Sequence, residues 1–287
     1  MLDAIISLFM LAGPNPSNYE KVTDTLQQIA QQNPSNARVI SIGVNDQGVP
    51  IQGLQIGSGQ LATLVVGTHH GNEYGSTAVA LGVADSLAKA PIAGQTVYVI
   101  PVLNISGYNR NSRYETSLSG SVDPNRDYTG PCKFSTSYYL KSTKALADFI
   151  DAKNIVTSAT LHTYYPAVAY PWGISTHDLS TAHDAQYIAL ARAATQESNY
   201  RVGNSTEVLY AADGAFEDYA YWKHGIWSLL FELGFSHGPS PAAIKTMVEV
   251  NTPGLRRFLE SAPKQRASDH QFTGRCDHNV MQRIVRE

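Results

Sequence analysis

Leu61-Ala62-Thr63-Leu64-Val65-Val66-Gly67, running on into Thr68-His69-His70-Gly71-Asn72-Glu73, is the stretch that decides the fold. Its first part is an unbroken apolar run rich in β-branched residues, as in a strand covered on both faces. Residues Glu73 to Ala88 then carry a helical pattern. A buried strand feeding a helix is the opening of an α/β unit. The same alternation recurs along the chain. Thr96–Leu103 (TVYVIPVL), Ile155–His162 and Ile226–Leu233 read as further buried strands, and Leu140–Ala152, Ala182–Ser198 and Pro241–Ser261 as helices. Upstream, the capping box Ser17-Asn18-Tyr19-Glu20 opens a helix to about Gln31. Val39–Ile42 and Ile51–Ile56 read as strands around the turn Asn45-Asp46-Gln47-Gly48. Glu207–Tyr210 reads as extended. The pattern predicts one α/β domain over residues 17–261, a mixed, mostly parallel twisted sheet with helices on both faces. Residues 1–16 form a separate apolar segment. Residues 262–287 form a polar tail expected to be peripheral. Ser106–Lys133 is a long polar stretch that reads as a loop, and compact domains rarely carry one that long without a use.

Composition narrows the function. Of 287 residues, 43% are hydrophobic and 16% charged, which excludes a disordered chain. A net charge of −3 leaves no basic field for nucleic acid. With 16 Tyr, 22 Gly and 14 Pro, the chain is loop-rich and polar-aromatic, as suits a secreted hydrolase. The run Met1–Gly13 is too short to span a bilayer, which takes about 20 residues. It reads either as the apolar part of a secretion signal or as an N-terminal helix, with Asp3 where a signal would carry Lys or Arg. No stable membrane association is expected. Cys132 and Cys276 are the only cysteines, and neither lies in a CxxC pattern, so a thiolate metal site is not expected. They could form one disulfide, as in an oxidising compartment, or stay free. The expected location is secreted or periplasmic, and the expected state a monomer.

The chemistry gathers at strand ends. His70 and Glu73 lie where a buried strand gives way to a helix, the carboxyl edge where α/β sheets bind ligands. At i and i+3 on an opening turn, both side chains can face one zinc ion. His69, next to them, reads as a packed or solvated neighbour. His162 ends a second buried strand and reaches the same edge if the strands are neighbours. Taken alone it would be a core histidine. Two His and one Glu leave a fourth zinc position open, the pattern of a catalytic site. Glu232 is a carboxylate in the apolar strand Leu229-Leu230-Phe231-Glu232-Leu233-Gly234. Burying that charge costs several kcal/mol unless it is paired or used. It reads either as a general base or as an edge-strand residue facing solvent. Asp123-Pro124-Asn125-Arg126-Asp127 follows Arg110 and Arg113 in the polar stretch. Arg and Asn together suit a carboxylate.

With these motifs in order, the chain resembles the zinc carboxypeptidase family, the carboxypeptidase A-like metallopeptidases, from about Tyr19 to Leu259. Thr68–Glu73 resembles the family's first metal motif. Asn104-Ile105-Ser106-Gly107-Tyr108 resembles its Asn-Pro-Asp-Gly-Tyr segment with two departures. Val122–Arg126 resembles its carboxylate-holding segment, Leu161–Tyr164 followed by Tyr170–Gly173 its third-ligand strand and the sequel of that strand, and Phe231–Gly234 its glutamate strand. Tyr210 lies 22 residues before Glu232, the spacing of the family's mobile tyrosine. The resemblance implies zinc on His70, Glu73 and His162, with Glu232 as general base. It implies Arg113 as the oxyanion donor, with Arg110 as the other candidate. Asn125, Arg126 and Tyr210 would then grip the free carboxylate of a peptide substrate. The seventh residue after the tyrosine, at the floor of the side-chain pocket, is Glu217. That implies a basic C-terminal residue, or the amino group of diaminopimelate. A shift of one residue would put Phe216 there instead. The resemblance also implies a chain without an inhibitory prosegment, since about 18 residues precede the first helix.

Three alternatives stand beside this reading. One is a muropeptide peptidase cutting D-glutamyl–diaminopimelate bonds. A second, a deacylase of small amino acids, is disfavoured by the 12-residue spacing of Arg113 and Asn125. The third is a non-catalytic binding module on the same fold. Such proteins lose a ligand or the glutamate, and this chain keeps all four.

Overall fold

The computed structural model describes residues 19–118, 120–133 and 138–277. The Met1–Gly13 run and the Ser17 end of the capping box lie outside the described residues. Tyr19–Gln32 (α1) buries Val22, Leu26 and Ile29, one helical face. Ala37–Val44 (β1) and Pro50–Ile56 (β2) pair antiparallel. The Asn45 side chain holds their turn, accepting from Gln47 and Val49 amides at 3.0 and 2.9 Å. Leu61–Gly67 (β3) runs into Tyr74–Lys89 (α2), and Gln95–Ile100 (β4) follows.

The stretch expected as a loop, Ser106–Lys133, is built. It holds Ile105–Arg110 (α3), the antiparallel pair Glu115–Ser117 (β5) and Gly120–Val122 (β6), and a 3-10 turn at Pro124–Arg126. Short-range caps do this, and apolar periodicity does not record them. Asn104 Oδ1 accepts from Gly107 N at 2.7 Å, and Asp123 Oδ1 from Asn125 N at 3.0 Å. Lys141–Ala152 (α4) and Thr157–His162 (β7) lie where the sequence places them. Ala167–Tyr170 (β8), Asp184–Ala194 (α5), Arg201–Asn204 (β9) and Ser205–Val208 (α6) follow. Residues 207–210, expected as extended, begin in that helical turn, because Asn204 Oδ1 caps it through Glu207 N at 2.9 Å. Phe216–His224 (α7), Trp227–Glu232 (β10) and Pro241–Ser261 (α8) complete the elements.

The eight-stranded sheet has the order β1-β2-β4-β3-β7-β10-β8-β9. Its centre, β4-β3-β7-β10, is parallel, while β2 and β8 join it antiparallel. This is the mixed, mostly parallel sheet that the strand–helix alternation predicts. Leu64, Val65 and Val66 of β3 are fully buried, each stabilising the fold by about 1.5–3 kcal/mol. Glu232 pairs in register with His162, so β10 is an inner strand and not the edge strand of the alternative reading. The carboxyl ends of β3, β7 and β10 therefore meet at one edge.

The tail is less peripheral than its polarity suggests. Ala262 and Ala267 are buried, and Phe272 and Cys276 pack on the core. Cys276 is bonded to Cys132. Among the described residues, no helix is long and apolar enough to cross a membrane.

Candidate metal centre and active site

His70 and Glu73 leave the end of β3 on the turn that opens α2, and His162 ends β7. Strand adjacency brings the three together. His70 Nδ1 lies 2.7 Å from Glu73 Oε1 and 3.3 Å from His162 Nδ1, and His162 Nδ1 lies 3.1 Å from Glu73 Oε2. All three are buried, and each offers a ligand atom within 4.8 Å of the others. The Thr163 amide donates to Glu73 Oε2 at 3.1 Å and fixes the carboxylate. Two imidazole nitrogens facing each other across a buried carboxylate converge as a donor set suited to one cation. The His₂Glu composition fits zinc. Burial opposes the charge on Glu73, but the His70 and His162 imidazoles outweigh it and hold the carboxyl well below the usual range.

Asp123 is the residue that sequence reasoning left without a role. Its Oδ1 lies 3.1 Å from His70 Nε2, on the far side of the ring from the donor set. Its Oδ2 accepts from Arg113 Nε at 3.0 Å and faces Nη2 at 2.9 Å. One carboxylate thus orients both a candidate metal ligand and a guanidinium. The signal lay in the Asp-Pro-Asn-Arg order itself. Arg113 Nη1 reaches within 3.2 Å of His70 Nδ1. Arg110 is exposed and turned to Ser106 and Thr116. Of the two candidates, only Arg113 meets the cluster. His69 is fully buried, as the packed reading has it. Its ring stacks on His162 at 5.4 Å, and its Nε2 meets the Tyr128 hydroxyl at 2.9 Å.

The remaining candidates surround one narrow cavity of about 30 Å³, whose lining includes His70 and His162. Asn125, Arg126, Tyr210 and Glu217 line it, and Glu232 closes it near the metal donors. Asn125 Oδ1 accepts from Phe216 N at 2.9 Å, which leaves its amide N–H groups for a ligand. Arg126 Nη2 donates to the Tyr210 hydroxyl at 3.2 Å, and Tyr210 is 57% exposed. Glu217 lies in the first turn of α7 and is 2% exposed, with Oε2 unpaired. Burial pushes its carboxyl up to about 7, against the Arg126 and His70 charges. Phe216 is fully buried against His69 and Tyr128 and does not line the cavity. Gly173, just past β8, forms a wall. A Cβ there would come 2.7 Å from Ser205 Cβ, so no side chain fills the cavity from that side. Its amide is held by Asp218 at 2.9 Å. This wall was not foreseen, because β8 is too short to show a period. Burial, then the charge of Glu73, pushes the Glu232 carboxyl well above its ordinary range. Glu232 Oε2 is shielded and unpaired. A cation among the neighbouring donors would oppose that shift.

An α/β sheet with a buried His₂Glu donor set and a carboxylate beside it at its carboxyl edge defines the class of zinc-dependent hydrolases. The chain belongs to the zinc carboxypeptidase family, whose model matches residues 22–254. Zinc is the cofactor that this membership and the donor set give it. Among curated relatives, bovine carboxypeptidase O is 32% identical over 168 residues, 47% of this chain and 44% of that protein. Human carboxypeptidase B is 29% identical over 268 residues, 76% of this chain and 62% of that protein. The chain thus matches less than two thirds of the length of either. Bovine thrombin-activatable fibrinolysis inhibitor, solved with tick carboxypeptidase inhibitor, is similar in fold. Its TM-score is 0.75 at 20% identity, over 85% of this chain and 96% of that one.

Proposed function

We propose that the protein is a zinc-dependent exopeptidase that removes a basic residue from the C-terminus of peptides. One observation carries the reading. A single cavity is lined by His70 and His162 of the candidate donor set, by Asn125, Arg126 and Tyr210, and by the buried acid Glu217. A guanidinium, an amide and a hydroxyl suit a free carboxylate, and a buried carboxylate suits a cation beyond it. The chemistry that zinc supplies in such a set is Lewis acidity, which acidifies water and polarises a carbonyl oxygen.

The chain's own residues do the rest. Asn125, Arg126 and Tyr210 hold the terminal carboxylate and so fix which peptide bond faces Glu232. Glu232 accepts the proton of the attacking water and passes it to the leaving nitrogen. Arg113, held by Asp123, donates to the oxyanion that develops on the scissile carbonyl. Glu217 pairs with the ammonium or guanidinium of the departing residue. A peptide with a free C-terminus is the partner, and we place the enzyme in a secreted or periplasmic setting as a monomer. The disulfide supports an oxidising compartment.

The muropeptide reading meets an obstacle in the same cavity. A diaminopimelate side chain ends in a carboxylate as well as an amine. The one Arg or Lys in the lining is Arg126, already assigned to the terminal carboxylate, the His70 and His162 imidazoles are assigned to the metal, and Glu217 is the acid beyond them. The second carboxylate would face a like charge. The test is a competition. N-blocked peptides ending in Lys, Leu and Glu are mixed with a muropeptide and the protein, with and without a zinc chelator, and followed by mass spectrometry. Chelator-sensitive loss of Lys first is the expected result. Cleavage of the muropeptide alone would overturn the substrate class. No cleavage by zinc-loaded protein would favour a binding module.

A further inference from the structure

The C-terminal segment after α8 is tied into the walls of the cavity, and nothing in the catalytic reading uses it. Its course is set by specific contacts. Trp227 Nε1 donates to Gln265 O at 2.9 Å, and Ala267 N to Gly225 O at 2.7 Å. The chain then crosses to the segment beyond β8. Phe272 packs edge-on against Trp172, with ring centroids 5.4 Å apart. Asp277 accepts from Ser175 Oγ at 3.2 Å and Thr176 N at 2.5 Å. Trp172 precedes Gly173, the cavity wall. The strand-end wall is therefore backed from outside by the tail.

The other wall is reached through the disulfide. Cys276 is bonded to Cys132, 144 residues earlier, with Cα atoms 5.5 Å apart. Beside Cys132, the Lys133 ammonium donates to Arg126 O at 2.6 Å and Tyr128 O at 2.8 Å. Those two carbonyls belong to the turn that aims Arg126 into the cavity. Gly214, at φ +88°, passes close by; a Cβ there would lie 2.8 Å from Arg126 O and 3.0 Å from Lys133 Nζ. Tyr128 N donates to Gly214 O at 3.2 Å, so the turn is also tied to the segment that leads to Glu217.

We propose that the tail, through the Cys132–Cys276 bond and Lys133, positions the carboxylate clamp against the side-chain pocket. Cys132, Cys276 and Lys133 are positioning residues here. They touch no substrate, and act through Arg126 on one wall and Trp172–Gly173 on the other. The inference rests on the exopeptidase reading for what the clamp holds. It implies that grip on the C-terminal residue depends on an oxidised disulfide, whereas the candidate metal donors, on the turn after β3 and at the end of β7, do not.

The test uses the zinc-loaded full chain and three variants: the double variant Cys132→Ala/Cys276→Ala, Lys133→Met, and Lys133→Arg as the conservative control. Each is measured for zinc content, for kcat and KM on an N-blocked peptide ending in Lys, for calorimetric binding of free lysine, and for amide hydrogen exchange. The double variant and Lys133→Met should raise KM and the lysine Kd about tenfold while kcat stays within about twofold. Zinc content should hold. Exchange should quicken over 124–133 and, in the double variant, over 172–178, with 61–67 unchanged. Lys133→Arg should restore most of the loss. Wild-type KM and exchange in both damaging variants would overturn the proposal. So would a matched fall of kcat and zinc content, which would mean general loosening. If the double variant does not fold, Lys133→Met decides. If wild-type protein binds neither lysine nor peptide, the exopeptidase reading falls and takes this one with it. If wild-type binds and the variants bind equally, only the positioning role falls.

Discussion

Replacing Glu217 with Gln should stabilise the protein and remove its choice of substrate at once. The side chain is 2% exposed, and Oε2 has no partner. Burial raises its carboxyl from 4.5 to about 7. At about 1.36 kcal/mol per pH unit, keeping it ionised costs the fold about 3 kcal/mol at pH 8. The sign follows from the raised value. The cost is absent below the unfolded value of 4.5, grows up to about 7, and is full above it. Gln carries no such cost, so Tm at pH 8 should rise by about 5 °C or more. On the proposed function, the same change removes the partner of a cationic substrate side chain. A hydrogen bond to a charged group is worth about 1.5–3 kcal/mol, so the Lys-to-Leu ratio of kcat/KM should fall by about 10- to 150-fold. In the wild type that ratio should also fall as pH drops below about 7 and the carboxyl takes a proton. Arg126, His70 and the Asp218 and Glu232 carboxyls are the other charged groups acting on Glu217 or acted on by it, and the Gln variant removes the pH dependence only if Glu217 is its source. Thermal melts and paired kinetics on Lys- and Leu-ending peptides measure both effects. An unchanged ratio with a raised Tm would place Glu217 in the wall without a substrate role. An unchanged Tm would refute the burial argument itself.

Other expectations follow from single contacts. Asp123→Asn should weaken zinc binding about 10- to 100-fold in a chelator competition, because the carboxylate 3.1 Å from His70 Nε2 orients that ring. Arg113→Gln should lower kcat about 10²- to 10³-fold with a smaller change in KM, if its guanidinium serves the transition state more than the bound peptide. Glu115 is fully buried against the Ser142 hydroxyl, and burial raises its carboxyl to about 8. Stability should therefore decline as pH rises from about 4.5 to about 8 and level off above that. Glu115→Gln should recover up to about 5 kcal/mol at pH 9 and change little at pH 5, as read by denaturant unfolding.

The sequence by itself determined the buried strands and marked out the candidate metal donors. Leu61–Gly67, Ile155–His162 and Ile226–Leu233 are continuous apolar runs, and burial on both faces leaves that trace whatever lies beside them. His70, Glu73, His162 and Glu232 stand out for the converse reason: polar groups at the ends of such runs are costly unless used. What the runs do not encode is who stands next to whom. The pairing of β7 with both β3 and β10 turned three scattered side chains into one cluster and made Glu232 an inner-strand residue. Tertiary contact alone separated Arg113 from Arg110, since both sit in polar sequence of the same kind and only one reaches His70. It also gave Asp123 its two partners, put Glu217 rather than Phe216 in the cavity, and joined Cys132 to Cys276. Local pattern records whether a side chain is buried. The identity of its neighbour depends on residues a hundred positions away, which only the folded chain brings into reach.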